Sequence, residues 1–447
     1  MKKSPMRLAF VTPEFVTEAR FNGGLANYLG RITVALAKAN HDVHVITTSH
    51  ETASFAYREA KVHRVVPCWD RRMTIDRVDT LVPRSFYGAY QDLKAAWCLS
   101  RKLKALHRYQ PFDVVQIANV SAVGLFLRGM KDLPVVLRMS CFRPAWDVAT
   151  GCVPTVGLRL RWKLEEWNAR SRPFVYAPSQ FVARQVARAY CLPRVDVLES
   201  PFFQPEPEQD FSAFNEFGRG RDYGFFFGHL TQMKGAHVLA AALPQLLTAL
   251  PDLRFIFVGT DGIAPTGGSM RAYIRRSLGK DVNRVALLDP VKHDKLYPLL
   301  EHSRFVVLPS LIDNLPNTCL EAMGLGKVVI ATKGSCFEQL INHGSSGLLV
   351  PPSDAAALTE AMLTAARMSA DEQSRIGTAA KERIRRLHPD HTIPQLLEYY
   401  RRILEEFDSG RAEISATDPS AGKHEKVALE SSSVSCPPVI RPDQFHC

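Results

Sequence analysis

Asp313 and Glu321 stand eight positions apart in the segment Leu308–Gly326, which reads L-P-S-L-I-D-N-L-P-N-T-C-L-E-A-M-G-L-G. The apolar run Arg304 to Leu308 precedes it, and a helix is expected to open near Asn317. Asp313 then lies in a strand-to-helix loop and Glu321 more than a turn into the helix. Such a loop exposes backbone N–H groups, and the helix dipole favours anions there. Thr318 adds a hydroxyl. A carboxylate near each end of this cradle can accept hydrogen bonds from two sets of hydroxyls on one ligand, as the ribose and hexose of a nucleoside diphosphate sugar would supply. Taken without its wording, the segment is better explained by an N-cap at Asp313 or Asn317 followed by a surface glutamate.

Three other places carry chemistry-bearing residues. His229 stands close to Lys234 in the run Phe227–Gly235, a placement that favours a functional role over a structural one. Gly23 and Gly24 follow the first apolar run, as a tight turn or as a loop brought close to phosphates. Glu338 fits a helix cap about as well as a ligand contact. Other chemistries lack local support. There is no G-x-x-x-x-G-K-[ST], no G-x-G-x-x-G after the first strand, and no H-E-x-x-H or G-x-S-x-G. Asp-x-Asp is also missing, which argues against a metal-bridged diphosphate and leaves no metal ligands to name. The nine cysteines are irregularly spaced without a C-x-x-C, so neither a zinc site nor a disulfide framework is expected.

The elements that must position these residues alternate. Leu8–Thr12 reads as a buried strand, Gly23-Gly24 opens a helix through about Ala39, and Val43–Thr47 is a second strand. Val114–Ile117, Val135–Leu137 and Phe174–Ala177 follow. After a Pro/Glu-rich linker at Gln204–Glu208 the alternation restarts: Tyr223–Phe227 as strand, Ala236–Ala249 as helix, then strands at Phe255–Gly259, Arg304–Leu308 and Val328–Ala331. Strand, helix, strand at this spacing implies parallel sheets covered on both faces. At 447 residues the chain exceeds one hydrophobic core. The fold class is therefore α/β, with two doubly wound Rossmann-like domains: residues 1–203 and residues 204–390. Residues 391–408 are expected to form a helix packing back toward the first domain, and 409–447 a disordered tail. Ligands of such sheets bind outside the carboxyl ends of the strands.

Charge divides the chain. The formal net charge is +11. Residues 1–200 carry 30 basic and 16 acidic side chains, residues 201–408 carry 22 and 24, and residues 409–447 carry 4 and 5. A basic half points to an anionic partner there. Two clusters stand out: Arg101, Lys102, Lys104 and Arg108 on one helix, and Arg159 to Arg172 around Trp162 and Trp167. For the second, a core-facing helix with a solvated basic face is the better explanation. No helix-turn-helix, RNP or zinc-finger pattern supports nucleic acid as the partner. No secretory leader and no membrane-spanning run is read in the sequence, so a cytoplasmic location is expected, peripheral on the inner face of the membrane if the basic domain meets anionic lipid.

Five segments, in order, carry a resemblance. Asn22–Tyr28 resembles the glycine loop of retaining glycosyltransferase family 4, and Ala177–Ala183 its A-P-S-x-F motif. Phe227–Gly235 resembles G-R-L-x-x-x-K-G, and Gly344–Val350 matches G-x-x-G-L-L-V. The segment from Asp313 to Glu321 is similar to the family's E-x(7)-E region in a D-N-L-P-N-T-x-x-E variant. The resemblance spans residues 6–405. It implies the GT-B architecture, two Rossmann-like domains facing across a cleft, with the nucleotide sugar on the second domain and the acceptor on the first. It implies transfer from a nucleoside diphosphate sugar with retention, no metal and no cofactor beyond that co-substrate. Glu321 would bind the ribose. Asp313, with backbone from Leu315, Asn317 and Thr318, would hold the transferred sugar and its phosphate. Lys234 would counter the diphosphate, and Gly23 and Gly24 would lie close to the donor.

Two positions depart from the pattern. His229 replaces the family's usual arginine and carries full charge only below about pH 6.5 unless a phosphate raises it. Ser140 stands where members often carry histidine, and cannot replace a basic imidazole, although Arg138 lies nearby in sequence. Lys234, His229, Asp313 and Ser140 are the catalytic candidates. The alternative is a non-catalytic protein of the same fold that binds sugar nucleotides or acts as a scaffold.

Overall fold

The computed structural model describes residues 4–18, 23–68, 79 and 81–416, with side chains described through Ser409. The first domain contains β1 (Arg7–Thr12), α1 (Gly24–Lys38), β2 (Asp42–Thr48), β3 (Ala53–Tyr57), β4 (Ala60–Val65), α2 (Tyr87–Tyr109), β5 (Val114–Ala118) and β6 (Val135–Arg138). It continues with α3 (Arg143–Ala149), α4 (Val156–Arg170), β7 (Phe174–Ala177), α5 (Gln180–Tyr190) and β8 (Asp196–Val197). The strands run in the order β3-β4-β2-β1-β5-β6-β7-β8, with every neighbouring pair parallel except β3 and β4. Five consecutive buried residues in β5 show why it sits at the centre of the sheet.

The second domain contains β9 (Tyr223–Phe227), α6 (Ala236–Ala249), β10 (Arg254–Val258), α7 (Met270–Leu278), β11 (Val285–Leu288), α8 (His293–Glu301), β12 (Phe305–Leu308) and α9 (Asn317–Gly324). Then come β13 (Val329–Thr332), α10 (Phe337–Leu340), β14 (Leu348–Val350), α11 (Ala355–Arg367), α12 (Ala370–Arg385) and α13 (Pro389–Ala416). Its six strands are all parallel, in the order β11-β10-β9-β12-β13-β14. Separate apolar clusters cover its two faces, one around Leu243 and Phe257, the other around Phe225 and Met323. The expectation of two doubly wound α/β domains is met.

Two boundaries differ from the sequence reading. The last helix does not end at residue 408 but continues to Ala416, so the start of the expected tail is helical; residues 417–447 lie outside the described residues. That helix also belongs to the first domain's core: Ile393, Leu396, Leu397, Tyr399, Tyr400 and Ile403 are buried there. Tyr400 donates its hydroxyl to Gln116 Oε1 on β5 at 2.7 Å, and Tyr176 on β7 donates to the same oxygen at 2.5 Å. These two buried hydroxyls are thus satisfied inside an apolar core.

Candidate functional site

The loops after β9 and β12 are locked together. Gly235 has φ +70°, and a Cβ there would lie 1.9 Å from the Pro309 carbonyl oxygen, so only glycine lets the loops approach this closely. Leu311 N–H donates to the Met233 carbonyl at 2.8 Å, and Lys234 N–H donates to Thr231 Oγ1 at 3.3 Å. Lys234 is thereby aimed at Asp313, and its Nζ lies 2.5 Å from Oδ2. Asp313 Oδ1 accepts from Asn314 N–H at 3.0 Å. The pair is enclosed, with side chains 19% and 6% exposed.

The local geometry excludes the capping explanation of the segment. The residue that caps α9 is Pro316, which makes no side-chain cap bond, so neither Asp313 nor Asn317 is an N-cap. Nor is Glu321 a surface glutamate, being only 5% exposed. Thr318, in the first turn of α9, comes within 3.7 Å of the position a Cβ would take on Gly228. His229, next in the chain, is exposed. Lys234, Asp313, Thr318, His229 and Glu321 therefore all stand beyond the carboxyl ends of the second domain's strands, where doubly wound sheets bind ligands. Leu315 and Asn317 lie on the same loop and helix start, with Asn317 opening α9.

Two residues absent from the sequence reading act on Glu321, one by contact and one by its charge. His293, which opens α8, puts Nε2 3.4 Å from Glu321 Oε1. That contact holds the imidazole above its ordinary value, while burial and Arg31 oppose the shift. Arg31, from α1 of the first domain, is lowered by burial and raised by the charge of Glu321. Its guanidinium lies 5.3 Å from the Phe202 ring centroid. The signal for His293 was its place at the carboxyl end of β11, equivalent to the places of His229 and Asp313. Arg31 carried no local signal.

On the first domain, Gly23 caps α1 with φ −77°, so no left-handed turn explains its glycine. A Cβ on Gly24 would meet no atom within 4 Å, and one on Gly23 would lie 3.5 Å from Glu14 Oε1. Burial pushes the Glu14 carboxyl up, opposed by its backbone bond to Ala26. Ser140 is held rather than free to move. Its N–H donates to Asn119 Oδ1 at 2.7 Å, and its hydroxyl accepts from Arg138 Nη1 at 2.6 Å. Arg138 also donates to Ser200 Oγ at 2.9 Å and lies over the Tyr28 ring at 3.8 Å. Asn119 Nδ2 donates to Glu165 at 3.2 Å, and burial pushes that carboxyl up to about 7 despite the Arg143 guanidinium beside it. The structure thus groups the second-domain residues in one place and Ser140 in a separate polar network of the first domain. Glu338 is exposed in the first turn of α10, as a dipole-complementing residue would be.

The domains meet beside these groups. Ala145 on α3 packs with Met233 and Ile312 from the two locked loops, flanked by Phe142, Trp146 and Phe181. Gln180 N–H donates to Gln339 Oε1 at 2.8 Å, and Gln339 Nε2 donates to Glu199 Oε1 at 2.6 Å. The α4 cations are largely structural. Arg161 binds Asp92, Lys163 and Arg170 bind Glu166, and Trp162 Nε1 donates to Asp147 at 2.7 Å. On α2, Arg101 and Arg108 are exposed and line a surface depression with Trp97 and Lys104, while Lys104 Nζ donates to the Phe126 carbonyl at 2.9 Å.

Residues 22–200 match the family model described as Glycosyltransferase Family 4, and residues 221–367 the one described as Glycosyl transferases group 1. A D-inositol 3-phosphate glycosyltransferase of Corynebacterium urealyticum is 29% identical over 196 residues, covering 42% of this chain and 45% of that protein. The match therefore spans less than half of that relative. A phosphatidyl-myo-inositol mannosyltransferase of Mycolicibacterium smegmatis is 23% identical over 404 residues, covering 85% of this chain and 90% of that protein. Among solved structures, a sucrose-phosphate synthase from Thermosynechococcus elongatus superposes with a TM-score of 0.69 at 18% identity, covering 90% of this chain and 100% of that one. HepE of Anabaena in complex with UDP gives 0.62 at 19%, covering 88% of this chain and 99% of that one. These likenesses fit the GT-B fold, and the matches along the sequence support sugar transfer as the chemistry.

Proposed function

We propose that this chain transfers a sugar from a nucleoside diphosphate sugar to an acceptor, with retention of configuration and without a metal. The observation that carries the reading is the contact between Lys234 and Asp313 above α9, with Glu321 enclosed one turn further along. An ammonium has three donors. Lys234 can keep Asp313 and still donate to a phosphate. As the glycosidic bond breaks, its electrons move onto the diphosphate, and a fixed cation there stabilises the transition state more than the ground state. The backbone N–H groups of Leu315, Asn317 and Thr318 would hold phosphate, Asp313 the sugar hydroxyls, Glu321 the ribose, and His229 would donate to the diphosphate. Gly23 and Gly24 would let α1 come close to the donor.

An anionic acceptor, lipid-linked or itself phosphorylated, fits the basic first domain. The names of two relatives, an inositol-phosphate glycosyltransferase and a phosphatidylinositol mannosyltransferase, support the same class. Among the described residues no helix is long and apolar enough to cross a membrane, so contact with the inner membrane face would be peripheral, through α2. A second reading, binding without transfer, is favoured by Ser140, whose hydroxyl is already engaged by Arg138. The test is a thermal-shift panel of nucleoside diphosphates and their sugars, followed by a donor-consumption assay with and without phosphorylated acceptors. Transfer that disappears in Glu321→Ala supports catalysis. Stabilisation by a donor with no turnover supports the binding protein, and no stabilisation by any nucleotide overturns both.

A further inference from the structure

An ionised carboxylate as enclosed as Glu321 needs positive partners to remain charged. One positive partner touches it and a second acts on it through its charge, from different domains. His293 touches Oε1 with Nε2 at 3.4 Å, and its ring packs edge-on against Tyr297 with centroids 5.4 Å apart, which limits the ring's rotation. Arg31 arrives from α1 and is steadied over Phe202. Among the described residues, no hydrogen bond engages Glu321 Oε2. The carboxylate is therefore held at one oxygen and keeps the other without a hydrogen bond among the described residues.

We propose that His293 is a positioning residue, whose protonated ring pins Glu321 Oε1 so that Oε2 faces the ribose hydroxyls of a nucleoside diphosphate. The inference rests on the ribose role given above to Glu321. His293 is half exposed, so it can exchange its proton with solvent. The groups facing it are Glu321 from α9, Arg31 from α1, and Asp294 and Tyr297 on its own helix. Glu321 and Asp294 raise its affinity for a proton, while burial and Arg31 lower it, and the net is a rise above the ordinary value. Protonation, and with it the charge-assisted strength of the pinning, is complete at low pH and falls as pH rises past that raised value, where the neutral ring keeps only the weaker donation of a single N–H.

A terminal phosphate also titrates near neutrality, so the test must isolate the ribose. Calorimetry at about pH 6 and about pH 8.5 would compare UDP, GDP and ADP, each with its 2′,3′-dideoxy analogue, on the full chain. The ratio of the two affinities cancels every effect at the diphosphate. Wild type is expected to favour the ribonucleotide by about tenfold at low pH, with a smaller ratio at high pH. His293→Ala should bring the ratio close to one at both, with dideoxy binding unchanged. His293→Gln, whose amide can still donate, should keep the preference and lose its pH dependence. An undiminished ratio in His293→Ala, with dideoxy binding and thermal melting both intact, overturns the inference alone. So does a pH dependence that survives in His293→Gln. Failure of the wild type to bind any of the three nucleotides would overturn the donor reading itself, and this inference with it.

Discussion

Lys234 and Asp313 are 79 positions apart in sequence, yet Nζ and Oδ2 lie 2.5 Å from each other, across two loops whose approach depends on the absence of a side chain at Gly235. The carboxylate is the more enclosed partner. Losing the ammonium would leave it buried and unpaired, which costs far more than an exposed ion pair does.

Lys234→Ala is accordingly expected to act twice. Stability should fall by about 3 kcal/mol, the scale for an orphaned buried charge, as read from urea midpoints. Turnover should fall more than donor affinity, because the diphosphate gains charge in the transition state. Equal losses in kcat and in donor affinity would contradict the charge-stabilising role.

Glu321→Ala should weaken donor binding by about 1.5–3 kcal/mol, the value of strong hydrogen bonds to a charged group. Titration calorimetry with the nucleotide sugar that gives the largest thermal shift is the measurement. Unchanged affinity removes Glu321 from the donor site.

Acid should destabilise the first domain through two buried imidazoles. His44 Nδ1 and His63 Nε2 are 3.0 Å apart. Burial lowers both from their ordinary values, and in His63, with His44 and nearby cations adding, to about 4. Both values are depressed in the fold, so the unfolded chain binds more protons between about pH 6.5 and about pH 4. Stability is full above that window and lost as pH falls through it. Between pH 7 and pH 5 the loss should be about 2 kcal/mol. Denaturant unfolding at both values checks it, and His63→Leu should flatten the slope.

Membrane association, if the basic first domain serves it, should depend on α2 rather than α4. Exposed Arg101 and Arg108 are the informative positions, since Lys104 is tied to Phe126 and most α4 cations are paired with carboxylates. Each cation near an anionic surface contributes about 1 kcal/mol, screened by salt. Co-sedimentation with anionic vesicles should fade as salt rises and drop when Arg101 and Arg108 become glutamate. Indifference to such vesicles at low salt reduces the charge asymmetry to solubility.

The central parallel strands could be read because buried strands are continuous apolar runs, as at Phe305–Leu308, and α6 falls at Ala236–Ala249 as its apolar periodicity implies, whereas the parallel edge strands β8, β11 and β14 were not read. The antiparallel edge hairpin of β3 and β4 was not read. Its alternate burial in β3, with Ser54 and Ala56 exposed, gives a weak pattern at a sheet edge. The placement of Asp313 and Glu321 beyond β12 could be read because both lie within one loop and helix. Arg31 and His293 could not be tied to Glu321, since that meeting depends on how two domains and two separate helices come together. The pairing of Arg138 with Ser140 lay within three residues, but its direction depends on Tyr28 and Ser200, far away in the chain.

The return of α13 into the first domain has a consequence for biosynthesis. On the ribosome, the amino-terminal sheet emerges first but cannot finish its core. Tyr399, Tyr400 and Ile403 are made only after the whole carboxyl-terminal sheet. Until then, Gln116 lacks one of the two hydroxyls that donate to it, and an apolar strip of the nascent sheet faces water. Domains generally fold as units, amino-terminal first; here the earlier unit must wait, partly open, for the last helix to close it.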